Sequence, residues 1–150
     1  MKKVLILGST GSIGQSTLEV IKANNKDFSI SGLVAKSNKK LLLEQANKFN
    51  VKKICLINND SKNDIFISES EIEDLIFSDQ VDIVVAAISG IAGLKTILSS
   101  IKAGKRILIA NKEPLVAAGQ ILMKEAKKSN SEILWKYTSV LINLLNTMLL

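Results

Sequence analysis

Three glycines spaced three residues apart, Gly8, Gly11 and Gly14, form the group in this chain best suited to hold an anion. Glycine has no Cβ, so the backbone can turn sharply at these positions and bring its N–H groups close to a phosphate. Ser9-Thr10 and Ser12-Ile13 stand between the glycines and add hydroxyl groups as further donors. The pattern G-x-x-G-x-x-G therefore indicates a site for nucleotide phosphates; the alternative is a tight turn that binds nothing.

The segments on either side of these glycines have the patterns of a strand and a helix. The apolar run of residues 4–7 precedes the turn and is typical of a buried parallel strand. A helix is predicted over residues 12–24, with Ile13, Leu18 and Ile21 on one face. Strand, glycine turn and helix, in this order, form the pyrophosphate-binding unit of dinucleotide-binding folds.

The segment that follows the second predicted strand, residues 28–35, bears on which dinucleotide would bind. An enzyme that uses NAD usually has Asp or Glu there, which accepts a hydrogen bond from the 2′-hydroxyl of the adenosine ribose. This chain has Lys36-Ser37-Asn38, a cation followed by two small polar residues. These residues suit a 2′-phosphate, so the sequence favours NADP over NAD. Asn38 also has the character of an N-cap for the next helix, and the two roles are compatible.

The remaining segments alternate between strand and helix patterns with short links. This alternation predicts an α/β domain with a doubly wound parallel sheet, a Rossmann-like NAD(P)-binding fold. Two more strand ends carry glycine or polar turns, residues 89–93 and 111–114, and such sheets bind ligands at that edge. The predicted elements are a helical stripe of Leu41, Leu42, Gln45, Ala46 and Phe49, strand 54–57, strand 81–88, helix 94–103 ended by Gly104, strand 106–110, and a helix from Pro114 to about Lys128.

Residues 58–70 have the weakest pattern and predict a surface loop. The carboxylates that end this stretch and follow it are of a type that binds metals: Glu69, Glu71, Glu73 and Asp74. Helical spacing would spread them around a solvated helix start, where negative charge is favourable. The sequence therefore favours a solvated helix over a metal site.

The composition excludes several classes of function. The net charge is +6, but the lysines are scattered and aromatic residues make up only 4%, which argues against nucleic-acid binding. No apolar run in residues 1–134 approaches the ~20 residues of a membrane span, and Met1-Lys2-Lys3 leads directly into a strand, unlike a signal peptide. The chain has no histidine to act in catalysis or as a metal ligand. The one cysteine, Cys55, suits a core position in a reducing cytoplasm.

Three motifs, taken in order, resemble one enzyme family. They are residues 8–14, Gly-Ser-Thr-Gly-Ser-Ile-Gly; residues 86–94, Ala-Ala-Ile-Ser-Gly-Ile-Ala-Gly-Leu; and residues 110–113, Ala-Asn-Lys-Glu, followed by Leu115-Val116. Over about residues 1–134 the chain resembles 1-deoxy-D-xylulose 5-phosphate reductoisomerase, as the cofactor domain of a much longer enzyme. That family rearranges its phosphosugar with the help of a divalent metal and reduces the resulting aldehyde with NADPH. The product is 2-C-methyl-D-erythritol 4-phosphate, an intermediate of non-mevalonate isoprenoid synthesis.

The resemblance implies roles for particular residues. Those at the cofactor are Thr10, Gly11, Ser12 and Ile13 at its phosphates, Lys36, Ser37 and Asn38 at its 2′-phosphate, and Asn111 and Glu113 along its length. Lys112 would bind the phosphosugar substrate, where its positive charge suits a phosphorylated ketose. The resemblance also implies Mg²⁺ or Mn²⁺ as the metal and a homodimer as the assembly.

The sequence departs from the family at several points. Pro114 stands where the family usually has Ser or Thr, and Lys36-Ser37 is a variant of a loosely kept segment. After Leu134 the family continues with Pro-Val-Asp-Ser-Glu-His, whose carboxylates bind the metal, whereas this chain continues with Trp135 and an apolar stretch. We therefore expect an NADPH-binding domain over residues 1–134, an atypical tail over residues 135–150, and no metal ligands or catalytic domain.

Alternative interpretations apply to the tail and to the function. A truncated or frameshifted reading explains the tail, and an amphipathic helix that docks on a partner is the alternative. The alternative function is a catalytically inactive dinucleotide-binding module or remnant. A semialdehyde dehydrogenase would share the glycine spacing, but it would leave Asn111-Lys112-Glu113 unexplained.

Overall fold

The computed structural model describes residues 1–58 and 65–135, which form a parallel sheet covered by helices on both faces. The elements in chain order are β1 (Lys2–Leu7), α1 (Ser12–Ala23), β2 (Phe28–Ala35), α2 (Lys39–Phe49), β3 (Ile54–Leu56), α3 (Glu69–Phe77), β4 (Ile83–Ala86), α4 (Leu94–Lys102), β5 (Arg106–Ile109), α5 (Glu113–Ser129) and β6 (Ile133–Trp135). The strands lie in the order β3-β2-β1-β4-β5-β6, and each neighbouring pair is parallel. The predicted doubly wound sheet is confirmed.

The central strand, β1, divides the apolar core between the two faces of the sheet. Val4 and Ile6 pack on the face that α1 and α2 cover, and Leu5 and Leu7 pack on the face of α3, α4 and α5. Because strand side chains alternate, a strand buried on both faces must be apolar at every position. This is why residues 4–7 and the whole of β4 are continuous apolar runs, and it leaves polar residues to the strand ends.

Most of the predicted boundaries agree with the structure to within one or two residues, and one strand was not predicted at all. The predicted loop over residues 58–70 ends early, because α3 begins at Glu69 behind a Ser68 N-cap. The Ser68 hydroxyl accepts a hydrogen bond from the Glu71 N–H, and the Glu71 carboxylate accepts one from the Ser68 N–H. In this capping box, the Ser68 N–H and then the Ser68 hydroxyl, which both donate to the Glu71 carboxylate, hold the pKa of Glu71 below its usual range. Residues 59–64 of the predicted loop lie outside the described residues.

The sequence did not predict β6. Its three residues pair with β5, with Ile107 opposite Ile133 and Ile109 opposite Trp135. Trp135, the first residue of the predicted tail, therefore lies within a strand. A run of three residues is too short for a recognisable alternation, so pairing with the preformed edge of β5 decides its conformation. The rest of the predicted tail, residues 136–150, lies outside the described residues.

Helix α1 begins in direct contact with the glycine loop. A Cβ placed on Gly14 would lie 2.2 Å from the Gly8 carbonyl oxygen and 2.5 Å from the Ser9 Cα. Both neighbours are backbone atoms that cannot move aside without distorting the loop. Gly14 is therefore required by the contact between helix and loop at the end of β1.

This contact predicts a large difference between two glycine-to-alanine substitutions in helices. Gly14→Ala should destabilise the fold by about 3 kcal/mol or more, because the new methyl group overlaps backbone atoms. Gly119→Ala in α5 is the matched control, since a Cβ there would meet nothing within 4 Å. It should stabilise the fold by roughly 0.5 kcal/mol. Thermal unfolding followed by circular dichroism would measure both, and equal melting temperatures would contradict the contact.

Candidate functional site

The glycine loop is anchored to the neighbouring strand. The backbone N–H groups of Gly8 and Ser9 both donate to the Val34 carbonyl at the end of β2, at 2.7 and 3.0 Å. The Gly11 N–H donates to the Gly8 carbonyl at 3.1 Å and closes the turn. Gly8 has φ +85°, a conformation that favours glycine, and a Cβ there would lie 2.6 Å from the Ala87 carbonyl oxygen after β4. The loop is thus held between the ends of β2 and β4.

The loop leads into a helix start that is open to an anion. Gly11 is the N-cap of α1, and no side chain caps that end. The first N–H groups of the helix, at Ser12 and Ile13, therefore lack an intrahelical or side-chain acceptor and carry the positive end of the helix dipole. A Cβ on Gly11 would meet only the Gly8 carbonyl oxygen, at 3.5 Å. This exposed surface has the donors and the clearance that a pyrophosphate requires.

One hydroxyl group assigned to the anion site by the sequence is wrongly placed. Ser9 is fully buried, so its side chain does not face a ligand at the surface. Ser12 is exposed and Thr10 is partly exposed, so their hydroxyl groups stay available. The difference arises because the Ser9 peptide is held on both sides, by β2 and by α2.

The segment between β2 and α2 presents its side chains to solvent. Lys36, Ser37 and Asn38 are all exposed, and no ion pair within the described part of the chain engages Lys36. The Asn38 side-chain oxygen accepts a hydrogen bond from the Leu41 N–H at 3.1 Å, so its predicted N-cap role is confirmed. The Asn38 amide belongs to the same exposed segment as Lys36.

The turn after β5 is fixed to the end of β4. The Asn111 side-chain nitrogen donates to the Ile88 carbonyl at 2.8 Å, which links the two turns across the sheet edge. Lys112 and Glu113 are exposed at the start of α5, and Pro114 lies in its first turn as predicted. Negative charge at Glu113 is favourable there because of the helix dipole.

The predicted cofactor and substrate residues come together at one edge of the sheet. They belong to three turns that all follow the carboxyl ends of parallel strands, β1, β2 and β5. β1 lies next to β4, and the chain leaves these two strands in opposite directions along the sheet. Such a switch point opens the crevice in which doubly wound sheets bind their ligands.

The acidic residues near α3 do not form a metal site within residues 1–58 and 65–135, where no three metal-binding side chains converge. Glu71 belongs to the capping box. Glu73 accepts a hydrogen bond from the Ser99 hydroxyl at 2.7 Å and lies 3.4 Å from the Lys95 ammonium. The Ser99 bond and then the lysine hold the pKa of Glu73 below its usual range. The carboxylates of Glu71 and Glu73 thus accept hydrogen bonds from neighbouring groups of this chain.

A cavity of about 200 Å³ lies beside the switch point and is absent from the sequence-based expectations. It opens between the ends of β1, β2 and β3 and the helices α3 and α4. Its lining includes Leu7, Val34, Lys36, Cys55, Ile88 and Ser99. Burial, with a smaller effect of the Glu69 and Glu71 charges, raises the pKa of the Cys55 thiol to about 11. Cys55 is therefore a neutral part of an apolar wall, in agreement with its predicted core position.

Comparison with known proteins identifies the family. The family model described as 1-deoxy-D-xylulose 5-phosphate reductoisomerase matches residues 4–119. The chain belongs to the 1-deoxy-D-xylulose 5-phosphate reductoisomerase family. The reductoisomerase of Actinobacillus pleuropneumoniae serotype 5b (strain L20) is 41% identical over 147 residues, and that of Blochmanniella pennsylvanica (strain BPEN) is 42% identical over 148. Both matches cover 89% of this chain and 37% of the relative, so the chain spans just over a third of their length.

Solved reductoisomerase structures share the fold described above. A crystal structure of DOX-P reductoisomerase in complex with NADPH, fosmidomycin and magnesium has a TM-score of 0.83 at 37% identity, covering 90% of this chain and 36% of that one. The Zymomonas mobilis reductoisomerase in complex with NADPH has a TM-score of 0.80 at 31% identity, covering 89% and 38%. A biliverdin reductase from Synechocystis sp. PCC 6803, at 18% identity and a TM-score of 0.69 over 93% of this chain and 39% of that one, shares the fold alone. No helix in the described part of the chain is long and apolar enough to cross a membrane.

The open surface at Gly11 predicts the effect of Gly11→Val. The variant should fold, because Gly11 has φ −76°, which any residue adopts, and its Cβ meets only one atom at an ordinary distance. It should lose measurable NADPH binding, because the branched side chain fills the space in front of the first N–H groups of α1. Calorimetric titration with NADPH, beside a circular dichroism melt, would test both parts. Gly11→Ala should give an intermediate affinity, and normal binding by Gly11→Val would show that the phosphates lie elsewhere.

Proposed function

We propose that this chain is the cofactor-binding part of an NADPH-dependent reductoisomerase that acts on 1-deoxy-D-xylulose 5-phosphate and yields 2-C-methyl-D-erythritol 4-phosphate. The observation that carries the proposal is the uncapped start of α1 at Gly11, with the exposed Lys36 at the same sheet edge, where no described residue forms an ion pair with it. A dinucleotide that carries both a pyrophosphate and a 2′-phosphate matches this pair of features.

The adenosine end of NADPH would lie over β1 and β2. Its pyrophosphate would accept hydrogen bonds from the N–H groups of Ser12 and Ile13 and from the Thr10 and Ser12 hydroxyls. Its 2′-phosphate would pair with Lys36, aided by Ser37, the Asn38 amide and the start of α2. The cavity that Lys36 helps to line would receive the adenine ring, because that cavity is largely apolar and lies next to the ribose segment.

The nicotinamide end would extend towards the turn after β5. The bond between Asn111 and the Ile88 carbonyl would hold this turn in place, so that Asn111 and Glu113 border the cofactor. Lys112, at the N-cap of α5, would direct its charge at the phosphosugar. The bound NADPH supplies the hydride for the reduction.

The divalent metal, Mg²⁺ or Mn²⁺, is part of the proposal for the complete enzyme only. No described residue of this chain is assigned to it, since no three ligands converge in the described ranges. The proposal also includes a cytoplasmic setting, in keeping with a single buried thiol, and a homodimer as the assembly. The alternative, an inactive dinucleotide-binding module, would bind the same cofactor; it differs from the proposal in that a longer polypeptide containing this domain would show no turnover.

Substitution of Lys36 tests the choice of cofactor. Lys36→Ala should weaken NADPH binding about tenfold, corresponding to roughly 1.5 kcal/mol for one charge-assisted contact at an exposed site. NADH lacks the 2′-phosphate, so its affinity should not change. Fluorescence titration with both cofactors measures this, and Lys26→Ala, in the turn at the opposite sheet edge, is the charge-matched control. Equal wild-type affinities for NADPH and NADH would contradict the assignment.

The 150-residue chain by itself should show no reductoisomerase turnover. The rearrangement needs a divalent cation to polarise the ketose oxygens, and hard cations need several convergent oxygen ligands. NADPH oxidation at 340 nm with 1-deoxy-D-xylulose 5-phosphate and Mg²⁺ or Mn²⁺ is the measurement. A longer polypeptide that restores Pro-Val-Asp-Ser-Glu-His after Leu134 should be active. Turnover by the 150-residue chain above a no-enzyme control would show that its own residues carry the chemistry.

A further inference from the structure

We infer that Gln45 is a positioning residue for dinucleotide binding, which holds the glycine loop in its binding conformation from helix α2. The inference rests on the proposed function, since it concerns how the same site is kept in shape. Gln45 lies outside the predicted cofactor residues and is buried.

Gln45 is a buried polar residue on an otherwise apolar helix face. It is 5% exposed and lies beside Leu42 and Ala46, which pack into the core under β1 and β2. Its side-chain nitrogen donates to the Ser9 carbonyl at 2.9 Å, across 36 residues of sequence. The bond joins α2 directly to the second residue of the glycine loop.

This bond completes the restraint of one peptide segment. The Ser9 N–H is held by the Val34 carbonyl, and the Ser9 carbonyl is held by Gln45. With both of its backbone groups held, Ser9 cannot rotate its peptide planes freely, and the direction of the following Thr10 N–H is set. The N–H groups of Ser12 and Ile13, which follow this restrained segment, therefore lie ready for a phosphate before one arrives.

The placement of Gln45 has an energetic cost that packing does not explain. The Gln45 side-chain oxygen and the Ser9 hydroxyl are both buried without a hydrogen-bond partner in the described part of the protein. Buried polar atoms without partners are destabilising; an apolar side chain of the same size would remove the Gln45 oxygen but would leave the Ser9 carbonyl without its donor, so the two effects on stability oppose each other. The Gln45 bond thus restrains the loop, while its own side-chain oxygen stays without a partner among the described residues.

Helix α2 also connects the two halves of the adenosine site. Its N-cap is Asn38, the last residue of the segment proposed for the 2′-phosphate, and Gln45 lies two turns further along the same helix. A rigid helix that carries both contacts keeps the 2′-phosphate segment and the pyrophosphate loop at a constant separation. Loss of the Gln45 bond should release the loop while it leaves Lys36 in place.

Gln45→Met tests the inference, because methionine has a similar length and volume but no donor. The melting temperature without ligand should stay within about 3 °C of the wild type. The dissociation constant of NADPH should rise about tenfold, and that of adenosine 2′-monophosphate, which has no pyrophosphate, should change less than about twofold. Amide hydrogen exchange of a peptide spanning residues 8–12 should become faster in the free variant, with little change in β4.

Gln15→Met is the matched control. The Gln15 side-chain nitrogen also donates to a loop carbonyl, that of Thr10 at 3.0 Å, but from an exposed position where water can replace it. Its effect on NADPH binding should be small, and an effect equal to that of Gln45→Met would overturn the assignment to Gln45. Unchanged NADPH affinity and unchanged loop exchange in Gln45→Met would overturn it as well. An equal loss of affinity for NADPH and for adenosine 2′-monophosphate, together with a lower melting temperature, would also overturn it, because a purely structural role of Gln45 gives that result.

The exchange measurement separates this inference from the proposed function. If the wild type binds no NADPH, the proposed function fails. Faster loop exchange in Gln45→Met would then still support the positioning of the loop by Gln45, and unchanged exchange would still overturn it.

Discussion

The structure depends on a contact between backbone atoms at Gly14 and Gly8. Helix α1 approaches the end of β1 so closely that a single Cβ at Gly14 would overlap the Gly8 carbonyl oxygen. This approach sets where the helix begins, and so directs its first N–H groups over the sheet edge. It also lets the loop reach the Val34 and Ala87 backbone on either side, so that the ends of β1, β2 and β4 form one continuous surface.

Burial on both faces of the sheet explains why binding groups occur where they do. The strands β1 and β4 are apolar throughout their buried lengths, and the helices cover both faces. Polar side chains within the helices mostly satisfy themselves locally: the Thr17 and Ser100 hydroxyls donate to carbonyls one turn earlier, those of Ile13 and Thr96. Gln45 is different, because its bond leaves the helix and reaches the loop. Among the buried polar side chains of the described residues, it is the one that bonds to the glycine loop.

The residues predicted for the site could be proposed from the sequence because each follows a readable local signal. The glycine spacing at residues 8–14, the apolar run before it and the helical pattern after it lie within a few turns of each other in the sequence. Lys36-Ser37-Asn38 follows the end of a clear strand, and Asn111-Lys112-Glu113 follows another. Since parallel strands share one carboxyl edge, recognising the strand ends was enough to place these turns at the same edge.

The features that the sequence did not reveal are those that need partners distant in the chain. β6 is too short to be recognised alone and forms by pairing with β5. The burial of the Ser9 hydroxyl follows from restraints by β2 and α2, and the cavity is lined by residues from several strands and helices. In the sequence, Gln45 is one polar residue in an otherwise apolar helical stripe. This position indicates that Gln45 is buried, but it does not reveal the hydrogen-bond partner.

The sequence by itself determined the fold class, the family resemblance and the placement of three polar turns at one edge of the sheet, because hydrophobic periodicity and glycine spacing act over short distances. Only the tertiary structure decided which loop groups face outward and what holds the loop in place. Those properties depend on atoms brought together across the sheet, such as the Gln45 amide and the Ser9 carbonyl, 36 residues apart.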